Sequence, residues 1–440
     1  MFLTLDIFLK HFPSITMTRE QFKYKFTVMY AIPQTLNDIF SLVPSKYSKA
    51  GNPKLVIKDA TKDRRYLRQE DIIDYFYEII ITGRHKYLSC FYKAYFEFKD
   101  PMSLDWNTSD CKKILSTPEI FKPYSVVSSQ KNDASRRIVR NLFYLQLLDE
   151  TRITNTVKSH VSFWTSLCNM YNKLQLEDRF FAPSSIDTFL KEKKTIKDGI
   201  TINYNALYYI FQMYQPKASI FNPYTIKWTM DNLLVPHIKT KTIKGNLSIF
   251  TPVLSWGSYL IAYMHSTDFN KYVGVDVMPT VCKKCEFLGK WYRNLSTKFK
   301  NKKTEFYCQP SESLLHNKSF KYNNTFDCAL ICPPYYDMEL YSEGKQSIDT
   351  YKDYNSWING YWEQTVKLCH ICLQSGGVFA FIGNDYNSLK NKTITLTKDL
   401  QNITEKYFKL VNMVYLQNRT APMRVNAKDR TERMYIYIKT

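Results

Sequence analysis

The sequence predicts an α/β protein with a Rossmann-like sheet, mostly parallel and ending in an antiparallel hairpin, preceded by a mainly helical N-terminal domain. Two sequence patterns support this fold class, one on each side of residue 216. The first 215 residues have helical hydrophobic periodicity between polar breaks. After Pro216, short apolar runs alternate with helical stretches, which is typical of a parallel sheet with crossover helices. We therefore expect a helical domain over residues 1–215 and the sheet domain over residues 216–440.

Seven segments are predicted as strands because each is a short apolar or β-branched run next to turn residues. They are residues 247–252, 271–277, 304–309, 328–331, 377–382, 408–416 and 434–439. The first five should be parallel, whereas the last two are joined by a loop and should form the antiparallel pair. In the N-terminal half, the strongest helical stretches are residues 69–81 and 134–148.

The charge balance favours a polyanionic partner. Sixty-one Lys and Arg against 40 Asp and Glu give a formal net charge of +21, which suits nucleic acid. The 34 Tyr and 28 Phe supply rings that can stack on bases. A basic, solvated surface in a lysine-rich chain is the alternative. The clusters at 64–68 and 136–140 fit either phosphate contacts or solvated helix faces.

Ten scattered cysteines and a start without a signal-peptide pattern predict a reducing intracellular compartment, cytoplasm or nucleus. No apolar run approaches about 18 residues, so we expect no membrane span. Two Cys-x-x-Cys pairs, at 282/285 and 369/372, fall on separate predicted helices, and no metal site is expected from them. The sequence makes no prediction of the oligomeric state.

The strongest local motif is Cys332-Pro333-Pro334-Tyr335, directly after an apolar run. Neither proline can donate to a sheet ladder, so the pair ends the strand in a rigid turn. Open α/β sheets bind ligands at the carboxyl ends of their strands. At that position the Pro333 carbonyl can accept a hydrogen from an amine while Tyr335 stacks on its ring.

This turn resembles the signature of the S-adenosylmethionine-dependent amino-methyltransferases of DNA, in which Asp, Asn or Ser precedes Pro-Pro and an aromatic residue. The resemblance implies that Cys332, Pro333, Pro334 and Tyr335 form the catalytic pocket. The first position and the first proline carbonyl would then bind the target amine. Cys332 departs from the pattern, because a thiol is a weak acceptor. Asp337 can supply an acceptor if the turn directs it inward.

Residues 250–260 resemble the family's first motif, a strand followed by a small-residue turn and a helix. The resemblance assigns Ser255, Trp256 and Gly257 to the methionine end of S-adenosylmethionine, where small residues let backbone amides approach. Asp276 ends the next strand about 20 residues further on, where nucleotide-binding sheets hold ribose hydroxyls. A surface acid at a strand end is the alternative for Asp276.

Two further segments complete the resemblance. Residues 307–312 correspond to the third motif, and Ser311 or Gln309 would contact the adenine of the cofactor. Residues 221–227, including Tyr224, resemble the segment that closes over the methionine end. An ordinary helix start fits the same residues, with an asparagine cap and a proline in the first turn.

The resemblance covers residues 218–440 and implies methyl transfer to an exocyclic amine of adenine or cytosine in DNA. An RNA base methyltransferase and a catalytically inactive, nucleic-acid-binding subunit with the same fold are the alternatives. Target recognition would come from the N-terminal half or from the Tyr- and Trp-rich residues 337–362. Residues 283–303 contain eight basic residues, which fit a phosphate track or an exposed helix equally.

Overall fold

The computed structural model describes a defined part of the chain. The described residues are 1–10, 16–30, 77, 81–82, 85, 89, 92–93, 96–106, 125–128, 133–144, 220–337, 345–387, 393–417 and 432–440. The chain forms two compact units. One contains Met1, Phe98–Gln146 and Ala218–Thr440, and the other contains Phe2–Glu97 and Leu147–Lys217. The predicted domain boundary near residue 215 stays a prediction. The basic cluster 64–68 and almost all of the predicted helix 69–81 lie outside the described residues.

The second unit contains two described helices, α1 (Leu5–Lys10) and α2 (Arg19–Tyr30). Phe8 in α1 is buried, and its ring lies 5.6 Å from that of Tyr92 and 5.4 Å from that of Phe96. The Tyr92 hydroxyl donates to the Leu3 carbonyl at 2.7 Å. These aromatic contacts form the described core of this unit.

The first unit is built around a sheet. The described strands are β1 (Ser125–Ser128), β2 (Leu247–Thr251), β3 (Phe269–Asp276), β4 (Lys303–Cys308), β5 (Phe326–Ile331), β6 (Leu373–Gly383), β7 (Tyr386–Asn387), β8 (Thr393–Ile394), β9 (Lys409–Gln417) and β10 (Glu432–Ile438). Within the described residues, eight of them form one sheet in the order β1-β9-β10-β6-β5-β2-β3-β4, and β7 pairs with β8 separately. Strands β2 to β6 are parallel, whereas β10 is antiparallel to both β6 and β9.

This strand order confirms the predicted fold class. All seven predicted strands are present, and five parallel strands followed by a reversed strand between β6 and β9 form a Rossmann-like methyltransferase sheet. One strand was missed. The short segment Ser-Val-Val-Ser of β1 pairs in parallel with β9 and brings the N-terminal half of the chain into the sheet.

Helices connect the parallel strands, as crossover connections require. The described α-helices of this unit are α3 (Asp133–Leu142), α4 (Pro223–Thr229), α5 (Ser258–His265), α6 (Pro279–Leu295), α7 (Ser347–Thr350), α8 (Tyr354–Trp357), α9 (Glu363–Cys372) and α10 (Leu396–Thr404). A π-helical segment, Ile358–Trp362, joins α8 to α9. Helix α3 confirms the predicted helix 134–148 over residues 134–142, and residues 145–148 lie outside the described residues. None of the described helices has both the length and the apolar composition needed to cross a membrane.

A buried carboxylate fixes the amino ends of three neighbouring strands. Asp327 in β5 is only 1% exposed. Its Oδ2 accepts from the backbone N–H and the hydroxyl of Ser248 in β2, at 2.8 and 2.9 Å. Its Oδ1 accepts from the Thr240 hydroxyl at 2.6 Å and from Gln374 in β6 at 3.3 Å. Four donors at one buried carboxylate indicate a structural role for Asp327.

Replacing Asp327 by Asn should destabilise this unit. The new amide nitrogen must face one of the four donors, which leaves at least one buried donor without an acceptor. We expect a loss of about 2 kcal/mol in the free energy of unfolding, measured by urea denaturation. The control is Glu286→Gln, the same acid-to-amide change at an exposed position of α6. Equal unfolding midpoints for the two variants would contradict this role.

Candidate active site

The predicted site segments lie at one edge of the sheet. Strand β2 pairs in parallel with β3 on one side and with β5 on the other. The Ser255–Gly257 turn follows β2, Asp276 ends β3 and the double-proline turn follows β5. Because the three strands are parallel neighbours, all three segments lie at the same carboxyl edge. The loop after β4, which contains Ser311, joins them there.

The turn after β2 has an unusual backbone. Ser255, Trp256 and Gly257 are consecutive residues with positive φ, at 46°, 54° and 77°. The Gly257 N–H donates to the Leu254 carbonyl at 2.9 Å, which closes the turn directly before α5. Left-handed backbone is costly for a residue with a Cβ atom, so Ser255 and Trp256 store strain here.

Introducing a glycine at position 255 should stabilise the protein. Because Ser255 is half-buried and has a left-handed φ, Ser255→Gly should raise the free energy of unfolding by up to about 1 kcal/mol. Ser258→Gly is the matched control at a helical φ of −61°, and it should lower stability. Thermal unfolding of both variants tests this, and a loss of stability in Ser255→Gly would contradict the strain.

The Asp276 carboxylate connects the turn to the next helix. Its Oδ2 accepts from the Leu254 N–H at 3.2 Å, and its Oδ1 accepts from the Met278 N–H at 3.0 Å. Asp276 is half-buried. A carboxylate has about four acceptor positions, so this group can hold the turn and also accept from the hydroxyls of a ligand.

The double-proline turn presents an aromatic pair. Pro333 is buried, whereas Cys332 and Tyr335 are half-buried. The Tyr335 ring is stacked on that of Tyr386, with centroids 5.2 Å apart and planes 27° apart. Burial raises the pKa of Tyr386, and the charge of Asp337 raises it further. The Oδ1 of Asp337 is buried and has no hydrogen-bond partner among the described residues, and its acceptor role stays a prediction.

The loop after β4 distinguishes the two predicted adenine contacts. Ser311 is buried, and its hydroxyl lies 3.2 Å from that of Thr365 in α9. Gln309 accepts from the side chain of Asn317 at 3.4 Å. Its amide nitrogen is buried and has no hydrogen-bond partner among the described residues. The adenine contact of Ser311 stays a prediction, and the geometry favours Gln309 as the donor.

Sequence reasoning missed Glu312, the next residue of this loop. Its carboxylate accepts from the Tyr351 hydroxyl at 3.3 Å, and the same hydroxyl lies 3.0 Å from the Gly360 carbonyl. One phenolic hydrogen cannot serve two acceptors fully, whereas a protonated Glu312 would donate to Tyr351 and leave that hydrogen for Gly360. Burial raises the pKa of Glu312, in agreement with this arrangement. No local sequence pattern marks the residue, because Tyr351 comes from a distant segment.

A raised folded-state pKa makes stability depend on pH. The folded protein keeps a proton on Glu312 at pH values where the unfolded chain has lost it, so stability falls as pH rises through the folded pKa. Glu312→Gln mimics the protonated form. The difference in melting temperature, variant minus parent, should be larger at pH 8 than at pH 5. The exposed Glu286→Gln variant should show no such change, and a pH-independent difference for Glu312→Gln would contradict the raised pKa of Glu312.

The segment before α4 adjoins the turn after β2. Asn222 caps the helix by accepting from the Tyr224 N–H at 3.0 Å, and it also accepts from the Ser135 hydroxyl at 2.8 Å. The Ser258 hydroxyl, at the start of α5, donates to the Phe221 carbonyl at 3.0 Å. The helix-start interpretation of this segment is therefore confirmed. The cofactor contact of Tyr224, which is buried, stays a prediction.

Helix α3 supports the same turn from the N-terminal half of the chain. The Phe143 ring, at the end of α3, meets the Trp256 ring edge-on at 5.7 Å. Lys284 in α6 donates to the Leu142 carbonyl at 2.6 Å. Sequence analysis did not predict these contacts of α3, because periodicity alone does not reveal the partner of a helix face.

The basic run 283–303 divides into two groups. Lys284, Arg293 and Lys302 donate to protein oxygens, and Lys302 contacts the Ser266 carbonyl at 2.6 Å. The exposed members are Lys283, Lys290, Lys298, Lys300 and Lys303. Three of the eight basic residues are therefore structural, and the other five face solvent.

Two other expectations concern buried side chains. Trp357 and Trp362 are fully buried, and their indole N–H groups donate to Ser347 and to the Leu400 carbonyl. The packing interpretation of these tryptophans is therefore the one that the contacts support.

Cys282 lies on α6 and Cys369 on α9, and no group of three or more potential metal ligands occurs in the described part of the chain. Residues 338–344 and the loop 418–431 lie outside the described residues.

No family model matches this chain, and no curated protein matches it. Solved structures resemble it weakly. The [4+2]-cyclase SpnF is 12% identical over 50% of this chain and 84% of that one, with a TM-score of 0.33. The N-methyltransferase NodS from Bradyrhizobium japonicum WM9, in complex with S-adenosyl-L-homocysteine, is 11% identical over 44% and 78%, with a TM-score of 0.28. TrmN from Thermus thermophilus is 9% identical over 50% and 49%, with a TM-score of 0.32. Similarities at this level identify no activity for this chain.

Proposed function

We propose that this chain is an S-adenosylmethionine-dependent methyltransferase that modifies an exocyclic amine of adenine or cytosine in DNA. One observation carries the proposal: the turn after β2, Asp276 and the double-proline turn share one edge of the sheet. A cofactor held by the first two would meet a base held by the third. This shared edge is what a direct transfer between two bound molecules needs.

The backbone after β2 suits the methionine end of the cofactor. Leu254 is right-handed and Ser255 left-handed, a succession that turns neighbouring N–H groups towards one concave side and favours a carboxylate. Asp276 accepts the ribose hydroxyls, and the buried amide of Gln309 donates to the adenine. Tyr224 and Ser311 contribute to the walls of this cleft. When bound, the cofactor supplies an electrophilic methyl group.

The double-proline turn suits an amine conjugated to a base. The Pro333 carbonyl accepts one amine hydrogen, which keeps the nitrogen lone pair directed at the methyl group. Tyr335 stacks on the base, supported from behind by Tyr386. Asp337 supplies the acceptor that Cys332 lacks. A base in this pocket has left the helical stack, as base-modifying enzymes require.

The charge distribution supports a nucleic-acid substrate. The formal charge of +21 and the five exposed lysines between residues 283 and 303 favour contacts with phosphates. DNA is proposed because the Pro-Pro-Tyr motif resembles that of DNA enzymes. Base recognition is assigned to the N-terminal half or to residues of the segment 337–362 other than its two buried tryptophans.

The proposal is tested by incubating the protein with methyl-labelled S-adenosylmethionine and either DNA or RNA. Digestion of the product to nucleosides identifies the modified base. We expect label on an amine of adenine or cytosine from DNA. Label from RNA alone would favour the RNA enzyme, and nucleic-acid binding without label would favour an inactive subunit. Asp276→Ala should abolish binding of the cofactor, and unchanged affinity would exclude the ribose role.

Cys332→Asp should raise the transfer rate. An aspartate at the first position of the turn can accept a hydrogen from the amine, which the thiol does weakly. A hydrogen bond to a charged group gained in the transition state corresponds to a rate increase of roughly tenfold. Cys332→Ala is the control and should leave the rate nearly unchanged. A fall in rate for Cys332→Asp would mean that the thiol has its own fitted role.

A further inference from the structure

A buried hydroxyl near the cleft has no partner within the protein. Tyr361 lies in the π-helical segment before α9 and is only 4% exposed. Its ring packs against that of Trp357, with centroids 5.2 Å apart. Its hydroxyl is buried and has no hydrogen-bond partner among the described residues. A buried hydroxyl without a partner is unfavourable, so this one needs an explanation.

The surroundings of Tyr361 include elements that lead to the carboxyl edge of the sheet. Its ring belongs to the same core cluster as Val275 and Ile331, the residues that precede Asp276 and Cys332 at the ends of β3 and β5. The Tyr351 hydroxyl contacts both the Gly360 carbonyl and the Glu312 carboxylate, which ties the backbone next to Tyr361 to the loop after β4. The segment that carries Tyr361 is therefore linked to the loop after β4.

The electrostatics agree with this position. Burial raises the pKa of Tyr361 well above its usual value, and nearby acidic groups raise it further. These groups are, in decreasing order, Glu312, Cys332, Asp276 and Cys369. The first three belong to the loop after β4, the turn after β5 and the end of β3, and Cys369 belongs to α9.

We propose that the Tyr361 hydroxyl is a cofactor-contacting group that hydrogen-bonds the adenosine portion of the bound cofactor, between Asp276 and Glu312. The inference rests on the proposed function and adds a residue that the sequence motifs do not include. A phenol both donates and accepts, so it pairs with a ribose oxygen or with a nitrogen of the adenine ring. The bound ligand thereby satisfies a group that the ligand-free protein leaves unpaired.

The test is Tyr361→Phe, measured in the full-length protein. Two probes are used, S-adenosylhomocysteine by calorimetry and adenosine by NMR titration. Loss of one hydrogen bond should weaken the binding of both probes by roughly five- to tenfold. Because the variant also removes an unpaired buried hydroxyl, its melting temperature without ligand should stay equal or rise. This combination of weaker binding and undiminished stability separates a ligand contact from a structural role.

Two matched controls accompany this variant. Tyr292 in α6 and Tyr437 in β10 are fully buried, and their hydroxyls also have no partner among the described residues. Tyr437 pairs with Phe379 near the middle of β6, and Phe379 in turn pairs with Ala329 in the middle of β5. Tyr292→Phe and Tyr437→Phe should bind both probes like the parent protein.

The outcomes are distinct. Unchanged affinity of Tyr361→Phe for both probes overturns the inference while leaving the proposed function intact. Weaker binding of S-adenosylhomocysteine with unchanged binding of adenosine overturns the assignment to the adenosine portion. A parent protein that binds neither probe overturns the proposed function itself.

Discussion

The arrangement of the site depends on the two backbone hydrogen bonds that Asp276 accepts. One holds the turn after β2 and the other holds the start of α6, so the carboxylate fixes three elements at the carboxyl edge. The strained residues Ser255 and Trp256 are kept in left-handed conformations only while that edge is fixed. A ligand that uses the same carboxylate would therefore bind a group that is already oriented, which reduces the ordering cost of binding.

The positions of seven strands could be predicted because most of them cross a buried layer and are short apolar runs in the sequence. Asp276 and the double-proline turn could be placed at a common edge for the same reason, since parallel strands end on one side. Strand β1 could not be predicted, because four residues of mixed polarity carry no periodic signal and their pairing with β9 is decided by tertiary contacts.

The residues that surround the site were harder to predict from the sequence. Glu312 and Tyr361 are separated by 49 positions in the chain and are brought together through Tyr351. Such a cluster depends on how the segment before α9 folds back over the sheet, and no local motif encodes that. The two tryptophans of the same segment illustrate the reverse error. They looked like ligand contacts in the sequence, but both are buried in the core.

The participation of α3 and β1 in the sheet unit has a consequence for the chain as a whole. A fragment that began at residue 216 would lose both elements. It would expose the Trp256 face that Phe143 covers and the β9 edge that β1 occupies, and an uncovered strand edge invites self-association. Residues 216–440 are thus not an independent unit, because they form one compact unit together with residues 98–146.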